Sequence, residues 1–361
     1  MSDRTATSPV TRSFFRRLTP IVVVSVFYFG MLVYPVLRIR NLILSEPAGT
    51  PELLAIMLGP LLGRLLYEWR PATWSRWLSA VALTWLGISF IAFTLVLGWE
   101  IIHLFVPLDD RVSGFSLLFL ISLLSLVGIC NAQLPIVRTV AIPAPAALRG
   151  TTFAQISDVH VGSRSGRYLK RVVAKINARK PDYVLITGDL IDFRDITAAE
   201  LSPLSDLDAP VYLVIGNHER YVDLAAICER LRSLGVHVLR NESLLLGDIQ
   251  LLGIDDSERK SQVRSVLEQL EPAPDKFRVL LYHRPDGARD AAQWGVDLML
   301  CGHTHNGQIM PFNLLVRRFF PRICGLYTIE QLHLYVSSGT GTWGPILRLG
   351  SRSEIGMIRL S

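Results

Sequence analysis

Five short polar clusters hold most of the chemically useful side chains of this chain, and each follows an apolar run. They contain five of its eight histidines. A site with two metal ions requires imidazole, carboxylate and amide groups that converge from several strands. The clusters are Asp158-Val159-His160, Gly188-Asp189-Leu190-Ile191-Asp192, Gly216-Asn217-His218-Glu219, Tyr282-His283 and Gly302-His303-Thr304-His305.

The spacing within the clusters favours shared metal ligation. Asp158 and His160 are two residues apart, so on an extended strand end both side chains point to the same face. His303 and His305 have the same spacing. Asp189 follows a glycine that permits a sharp turn, and its two carboxylate oxygens can bridge two cations. Asp192 is interpreted as a structural hydrogen-bond acceptor rather than a ligand.

The remaining clusters add further candidate metal ligands. Asn217 offers an amide oxygen to a metal, whereas the adjacent His218 points elsewhere and is free to meet substrate. Burying so many titratable groups without a cation would leave polar atoms unpaired, at ~1–3 kcal/mol each. Two ions that share a carboxylate need about seven protein ligands. Seven are available: Asp158, His160, Asp189, Asn217, His283, His303 and His305.

Other histidines and several arginines receive structural interpretations. His103, His237 and His333 lie in or beside apolar runs without such partners, which is typical of core histidines. Three arginines could meet a substrate phosphate, but a structural or solvated role is favoured for each of them: Arg164, Arg284 and Arg348.

The elements that must position the clusters alternate between strands and helices. Amphipathic segments such as Tyr168–Ala178 and Leu224–Leu234 separate several apolar runs, which predicts a layered α/β fold. Ligands of open α/β sheets bind beyond the carboxyl ends of the strands, so all five clusters are expected to share one rim. The predicted buried strands are Phe153–Ile156, Tyr183–Thr187, Val211–Ile215, Phe277–Tyr282 and Leu298–Leu300.

Later apolar segments are more hairpin-like, which predicts that the sheet is mixed. Thr139 begins a short Pro/Ala connector, the start of which could form an edge strand. These later strands are Leu244–Leu246, Gln250–Ile254, His333–Val336 and Ile355–Leu360.

The chain before about residue 135 has a different composition, and it accounts for much of the 50% hydrophobic content. Leu18–Leu37, Trp77–Trp99 and Phe115–Ala132 are each apolar enough to cross a bilayer as a helix. Leu53–Leu66 is the weakest of the four runs, because it contains an arginine and a Gly-Pro break. The prediction is a membrane domain of about four transmembrane helices over residues 1–135, followed by a second domain over residues 136–361.

Arginine positions predict the topology of an integral protein of the inner or plasma membrane. If Leu53–Leu66 spans, the positive-inside rule puts the N-terminus and the large C-terminal domain in the cytoplasm; otherwise the domain moves outside. Arg38 and Arg40 lie on the disfavoured side. The supporting arginines are Arg4, Arg12, Arg16, Arg17, Arg64, Arg70 and Arg76.

Charge and cysteine content argue against a nucleic-acid-binding protein and against a disulfide-stabilised one. Part of the formal charge of +6 lies beside the membrane, and no basic stripe interleaved with aromatic residues occurs, so nucleic-acid binding is not expected. The four cysteines show no paired spacing, which argues against a disulfide framework.

Taken in order, the motifs Asp-x-His, Gly-Asp-x-x-Asp, Gly-Asn-His-Glu, His and Gly-His-x-His resemble those of the calcineurin-like metallophosphoesterases over about residues 139–361. Residues 334–341 and Glu354-Ile355 resemble the membrane-associated branch, in which a catalytic domain follows transmembrane helices, and a related domain serves some UDP-diacylglucosamine pyrophosphatases. The resemblance implies a four-layer α/β/β/α sandwich. Asn306 and Ser353 depart from that pattern, at positions where the branch usually has glycine and proline.

The resemblance also implies roles for the clustered residues. One metal ion would be held by Asp158, His160 and His305 together with a bridging Asp189. His218 would be the acid that protonates the leaving oxygen or steadies the phosphoryl charge. The second ion would be bound by Asp189, Asn217, His283 and His303.

The resulting hypothesis is a membrane-anchored phosphoesterase that uses two divalent ions, with Mn, Fe or Zn suited to these ligands. Metal-bound hydroxide would attack a phosphate ester or pyrophosphate bond of a lipid-linked or nucleotide-linked substrate. The alternative is a non-catalytic module that senses phosphate or metal and is coupled to the helical region.

Overall fold

Four long helices precede the rest of the chain. The structure, a computed structural model, describes residues 9–44 and 49–361, with side chains from residue 25 onward within those ranges. Arg4 therefore lies outside the described residues, as do the side chains of the other arginines near the N-terminus. The helices are α1 (Pro9–Leu44), α2 (Thr50–Trp69), α3 (Thr73–His103) and α4 (Asp110–Gln133).

Three of these helices contain segments that are long and apolar enough to cross a membrane, by length and composition: Ser25–Leu44, Thr73–His103 and Asp110–Gln133. The predicted spans Trp77–Trp99 and Phe115–Ala132 lie within α3 and α4, and Leu18–Leu37 lies within α1. The fourth predicted run, Leu53–Leu66, lies within α2, which is not one of the three.

Contacts between the helices define their relative direction. Nε of Arg38 in α1 lies 2.6 Å from a carboxylate oxygen of Glu100 in α3, so α1 and α3 end at the same side. Gly63 of α2 packs directly on Ala82 of α3, where an added Cβ would come within 2.7 Å of the Ala82 methyl carbon. Helix α2 therefore packs antiparallel to α3 and connects the end of α1 to the start of α3.

Residues 136–361 form two six-stranded sheets. The first sheet has the order β1-β12-β2-β3-β4-β5, and the second has the order β10-β11-β9-β8-β7-β6. The strands are β1 (Ile136–Ile142), β2 (Thr152–Ile156), β3 (Tyr183–Thr187), β4 (Val211–Val214), β5 (Val236–Val238), β6 (Glu242–Leu246), β7 (Ile249–Gly253), β8 (Phe277–Leu281), β9 (Leu298–Cys301), β10 (Gly325–Ile329), β11 (Leu332–Val336) and β12 (Glu354–Leu360).

Both sheets are mixed, as predicted. In the first sheet β12 runs antiparallel to β2, whereas β2, β3, β4 and β5 are parallel. In the second sheet β7, β8, β9 and β11 are parallel, and β6 and β10 close the two edges in antiparallel pairs. The shorter helices are α5 (Gly166–Asn177), α6 (Ala198–Leu201), α7 (Leu224–Ser233), α8 (Gln262–Leu267), α9 (Ala288–Trp294) and α10 (Phe312–Phe319).

Three apolar layers hold the sandwich together. Side chains such as Leu185 and Val279 pack between the two sheets. A second layer joins α5 and α7 to the first sheet, and a third joins α8 and α9 to the second sheet. Because each sheet is covered on both faces, its central strands are apolar throughout rather than alternating. The expected four-layer α/β/β/α sandwich is confirmed.

The sandwich is fastened to α3 and α4 near one end of its sheets. The backbone N–H of Ile346 donates to the Thr84 hydroxyl of α3 at 3.1 Å. The N–H of Arg348 donates to the carbonyl of Gly128 in α4 at 2.9 Å. Ile91 of α3 packs in one apolar cluster with Ile309 and Leu347 of the sandwich. The two parts of the chain therefore share a packed interface.

Candidate metal centre

Each polar cluster begins just after the carboxyl end of a strand. Strands β2, β3 and β4 of the first sheet lead to the clusters at residues 158–160, 189–192 and 217–219. Strands β8 and β9 of the second sheet lead to His283 and to residues 303–305. The two sheets bring these ends together at one rim, as the strand pattern predicted.

The first group of converging donor atoms comes from Asp158, His160 and His305. Nε2 of His305 lies 3.2 Å from Oδ1 of Asp158 and 3.1 Å from Nε2 of His160. All three side chains are buried. Their ligand atoms lie within 4.8 Å of one another, which is a spacing that suits one cation.

The second group comes from Asp189, Asn217, His283 and His303. Nε2 of His283 lies 3.1 Å from Oδ2 of Asp189 and 3.2 Å from Oδ1 of Asn217. Nδ1 of His303 lies 3.1 Å from the same nitrogen. The carbonyl of Thr187 accepts the other ring N–H of His283 at 2.8 Å, so the nitrogen at the centre of this group carries a lone pair when the ring is neutral.

Asp189 lies between the two groups. One set of close ligand atoms joins Asp189 to His283 and His303, and another joins it to His160 and His218. Nε2 of His218 is 4.0 Å from Oδ2 of Asp189. Asp189 is thus shared between sets of close ligand atoms, and the half-buried His218 belongs to the set that joins Asp189 to His160.

Asp192 orients two of these imidazoles. Its Oδ1 accepts from Nδ1 of His160 at 2.5 Å and from Nδ1 of His218 at 2.7 Å, and its Oδ2 accepts from the Ser163 hydroxyl. A carboxylate behind an imidazole fixes which ring nitrogen faces the metal. Asp192 is thus a hydrogen-bond acceptor, in agreement with its predicted structural role, and leaves Nε2 of His160 free to bind a cation.

Glu219 supports the same centre through the backbone, a role that the sequence did not reveal. Its fully buried carboxylate accepts from the N–H groups of Asp189, Ile191 and Gly216 at 2.7–3.0 Å. The only signal in the sequence was its place at the end of the Gly-Asn-His-Glu motif. These bonds hold the turns after β3 and β4 against each other.

The backbone at the ligand positions is left-handed, not extended. The φ angles of Asp158, His160, Asp189, His303 and His305 lie between 50° and 71°. The expectation that strand-end alternation aligns Asp158 with His160 is therefore wrong, although both side chains reach the same point. Left-handed backbone is strained for residues other than glycine, and such strain clusters at functional sites.

Two glycines permit the close approach of these turns. A Cβ on Gly302 would lie 1.9 Å from Oγ of Ser157 and 2.2 Å from a carboxylate oxygen of Asp158. A Cβ on Gly216 would lie 2.2 Å from Oδ1 of Asp189. Both glycines are required because the carboxylates of the centre occupy the space that a side chain would need.

The carboxylates stabilise positive charge within the centre. Burial lowers the pKa of His218, but the hydrogen bond and charge of Asp192 outweigh it and raise that pKa to about 9. Burial also lowers the pKa of His283, and the charge of Asp189 reverses the effect and raises it to about 10. In contrast, burial lowers the pKa of His305 to about 4. The carboxylates thus stabilise positive charge beside His218 and His283, whether a proton or a cation supplies it.

The arginines considered for substrate contact have internal partners. Arg348 is fully buried and donates to the carbonyls of Gly341 and His305. Arg164 is buried beside the carbonyl of Ala132. Arg284 pairs with the buried Asp256 at 2.6 Å.

The three unclustered histidines do not join the described donor groups. His103 stacks on Trp99, and His237 stacks on Tyr212. His237 is exposed, so its interpretation as a core residue is wrong. Half-buried His333 lies on β11.

Comparison with known proteins adds sequence relatives. A profile of the calcineurin-like phosphoesterases matches residues 151–307. An uncharacterized metallophosphoesterase of Campylobacter jejuni is 31% identical over 75% of this chain and 79% of its own length. A bovine transmembrane protein with metallophosphoesterase domain is 35% identical over 65% of this chain, and its zebrafish counterpart is 36% identical over 66%. This chain spans 59% and 60% of those two vertebrate proteins.

Among solved structures, a dimetal phosphatase from Danio rerio is 13% identical, with a TM-score of 0.37 over 59% of this chain and 100% of that chain.

Proposed function

Because this chain belongs to the calcineurin-like phosphoesterase family, we propose that it is a membrane-anchored hydrolase that uses two metal ions to cleave a phosphate ester or pyrophosphate bond in a lipid-linked substrate. The family resemblance found in the sequence is thereby confirmed. Membership of this family supports phosphoester hydrolysis.

The observation that carries the proposal is the convergence of potential metal-ligand atoms from different side chains. Nε2 of His283 faces oxygens of both Asp189 and Asn217 at 3.1–3.2 Å, while its other nitrogen is already bonded to a carbonyl. Nε2 of His160, whose Nδ1 is bonded to Asp192, lies 3.1 Å from Nε2 of His305. Imidazole, carboxylate and amide atoms packed this closely need a proton or a cation between them, and a mixed donor set of this kind fits divalent cations.

The donor groups assign ligands to each ion. Asp158, His160 and His305 would hold one, and Asn217, His283 and His303 the other, with Asp189 shared. When bound, such ions lower the pKa of a water and neutralise charge on phosphoryl oxygens.

His218 is proposed as the catalytic acid. Its Nδ1 is bonded to Asp192, which leaves the N–H at Nε2 to donate to the leaving oxygen or to a phosphoryl oxygen. The ring is half-buried at the edge of the donor groups, where a substrate can reach it. Asp192 therefore positions both His218 and the metal ligand His160.

For the helical region we propose four membrane crossings. Helices α1 and α3 end at the same side, so the chain must return between them, and α2 supplies that return along α3. With four crossings the N-terminus and the sandwich share one side, and the arginines near the N-terminus favour the cytoplasm.

The topology can be tested with an Asp208→Cys variant, because Asp208 is exposed on the sandwich. Cys130 and Cys324, the cysteines that are not buried, are first replaced by serine. A membrane-impermeant maleimide should label the variant only after the cells are permeabilised. Labelling in intact cells would place the sandwich outside.

The lipid-linked substrate class is supported by the packing of the sandwich on α3 and α4. The carbonyl of His305 accepts from Arg348, and the N–H of Arg348 donates to α4. The donor groups are thus connected to the helical bundle through one residue. A substrate that stays in the bilayer is held near the site at a high effective concentration.

Activity is tested on the full chain purified in detergent micelles. Hydrolysis of bis(p-nitrophenyl) phosphate is measured with and without Mn²⁺, and a panel of lipid phosphates, lipid pyrophosphates and nucleotides then ranks the substrates. Asp189→Ala should abolish turnover, while Asp208→Ala provides a matched exposed control with wild-type turnover. Metal-independent rates that are equal in the wild type and Asp189→Ala would refute the proposal.

A further inference from the structure

Helix α10, the preceding Met310 and the loop at Trp343 expose large apolar side chains, here called the apolar apron. None of the eight residues of α10 is buried. Leu314 is 63% exposed and Phe319 is 71% exposed. The apron comprises Met310, Leu314, Leu315, Phe319 and Trp343.

The apron adjoins the membrane-spanning helices. The ring of Phe312, the first residue of α10, lies 6.4 Å from the ring of Phe90 in α3. Ile309 packs on Ile91 in the same helix. The apron is therefore continuous with the interface that joins the sandwich to α3 and α4.

The position of Phe90 along α3 indicates how deep in a bilayer the contact with α10 lies. At 1.5 Å per residue, Phe90 lies about 20 Å before the end of α3 at His103. A hydrocarbon core is about 30 Å thick. A bilayer that covers α3 from its last turn therefore extends past Phe90, and reaches the level at which α10 contacts α3.

The charge of α10 also fits a bilayer. Arg317 and Arg318 occupy its last turn, are exposed, and have no ion-pair partner among the side chains that the structure describes. Helices with Phe and Leu on one face and arginines beside them lie in the membrane interface, where the arginines contact lipid phosphates. A protein partner or a second copy of the chain would not require this placement beside α3.

The apron also borders the metal centre. Phe320, directly after α10, packs edge-on against the ring of His303 with a centroid distance of 5.1 Å. The side-chain amide of Gln308 donates to the carbonyl of Trp343 at 2.9 Å and accepts from its N–H at 2.9 Å. The segment from Gln308 to Phe320 thus connects the turn at His305 to α10, and Gln308 also bonds to the loop at Trp343.

We infer that the apolar apron inserts into the leaflet that surrounds α3 and α4, so that the metal centre opens at the depth of lipid headgroups. The partner is the bilayer itself, and the site would receive a headgroup phosphate without extraction of the lipid. The access route for lipid substrate rests on the proposed function, whereas the insertion of α10 does not.

The insertion is tested with the full chain in vesicles of phosphatidylethanolamine and phosphatidylglycerol whose acyl chains carry bromine. In a background with Cys130 and Cys324 replaced by serine, Leu315→Cys carries an environment-sensitive fluorophore. Phe119→Cys on α4 is the lipid-exposed reference. Leu245→Cys is the matched control, since Leu245 is 59% exposed on β6, at the opposite edge of the second sheet from β10.

Quenching of the Leu315 label to the level of the Phe119 label supports insertion. Quenching no greater than that of the Leu245 label overturns it, and this is also the result expected if a partner protein or a second copy covers the apron. Thermal unfolding and size-exclusion elution equal to those of the wild type verify that each labelled variant is folded.

A second measurement separates this inference from the proposed function. The double variant Leu315→Gln, Phe319→Gln should lose several-fold in rate on a vesicle-borne lipid phosphate and keep its rate on a soluble aryl phosphate. Equal rates of the variant and the wild type on the vesicle-borne substrate would overturn the access route. Absence of turnover on every phosphate would refute the proposed function, while the quenching result would still decide the insertion.

Discussion

Replacement of Asp192 by asparagine is the most informative single change near the centre. Its Oδ1 accepts from both His160 and His218, and its Oδ2 accepts from Ser163. An asparagine of the same shape can keep all three contacts if its amide oxygen faces the histidines and its NH₂ faces the serine hydroxyl. The substitution therefore removes charge with little change in shape.

The expected magnitude follows from that loss of charge. A hydrogen bond to a charged group contributes ~1.5–3 kcal/mol, and one between neutral groups contributes ~0.5–1.5 kcal/mol. The bond that supports His160 should therefore weaken by about 1–1.5 kcal/mol, which is about tenfold in metal affinity. This agrees with the lower end of the ~10–100-fold effects of changes behind metal-binding histidines.

The assay is a titration of the metal-free full chain with Mn²⁺ or Zn²⁺ by calorimetry. Ser163→Ala is the control, because it removes the third contact of Asp192 and leaves both histidine contacts in place, so its metal affinity should stay near that of the wild type. If Asp192→Asn binds metal as tightly as the wild type, the carboxylate does not orient His160 and this reasoning is wrong.

The other predictions concern stability, and each is measured by thermal unfolding. Gly302→Ala should destabilise by ~1–3 kcal/mol through overlap with Ser157, whereas Gly98→Ala, with no atom within 4 Å of the added carbon, should not. Arg348→Met should cost ~2–5 kcal/mol, because buried carbonyls lose their donor, and unchanged stability would contradict the assigned contacts. Metal at 100 times its Kd should add ~2.7 kcal/mol to the wild type, and Asp189→Ala should lose most of this gain.

Much of the sandwich could be predicted from the sequence because its central strands are buried on both faces. The runs Phe153–Ile156, Tyr183–Thr187 and Phe277–Tyr282 coincide with β2, β3 and β8 to within one residue. Each run is apolar without alternation and ends at a polar cluster, so both its type and its end are visible. The amphipathic segment Tyr168–Ala178 coincides with α5 to within two residues.

Other features depend on contacts between distant parts of the chain. Strand β5, at the edge of the first sheet, has only three residues and too little pattern to identify. The eight residues of α10 are amphipathic, but the helix is short and lacks a capping side chain. The left-handed turn at Asp158 is also invisible to residue spacing, because it depends on close packing against Gly302 and Gly341.

The fastening of the sandwich to α3 and α4 has a consequence for truncation. The N–H of Ile346 is satisfied by Thr84, and that of Arg348 by Gly128, while Leu347 between them is fully buried. Removal of the first 135 residues would strip both acceptors and expose this leucine to water. The sandwich therefore depends on α3 and α4 for part of its packing. Inactivity of a fragment without these helices could result from the lost interface as readily as from the absence of catalytic chemistry.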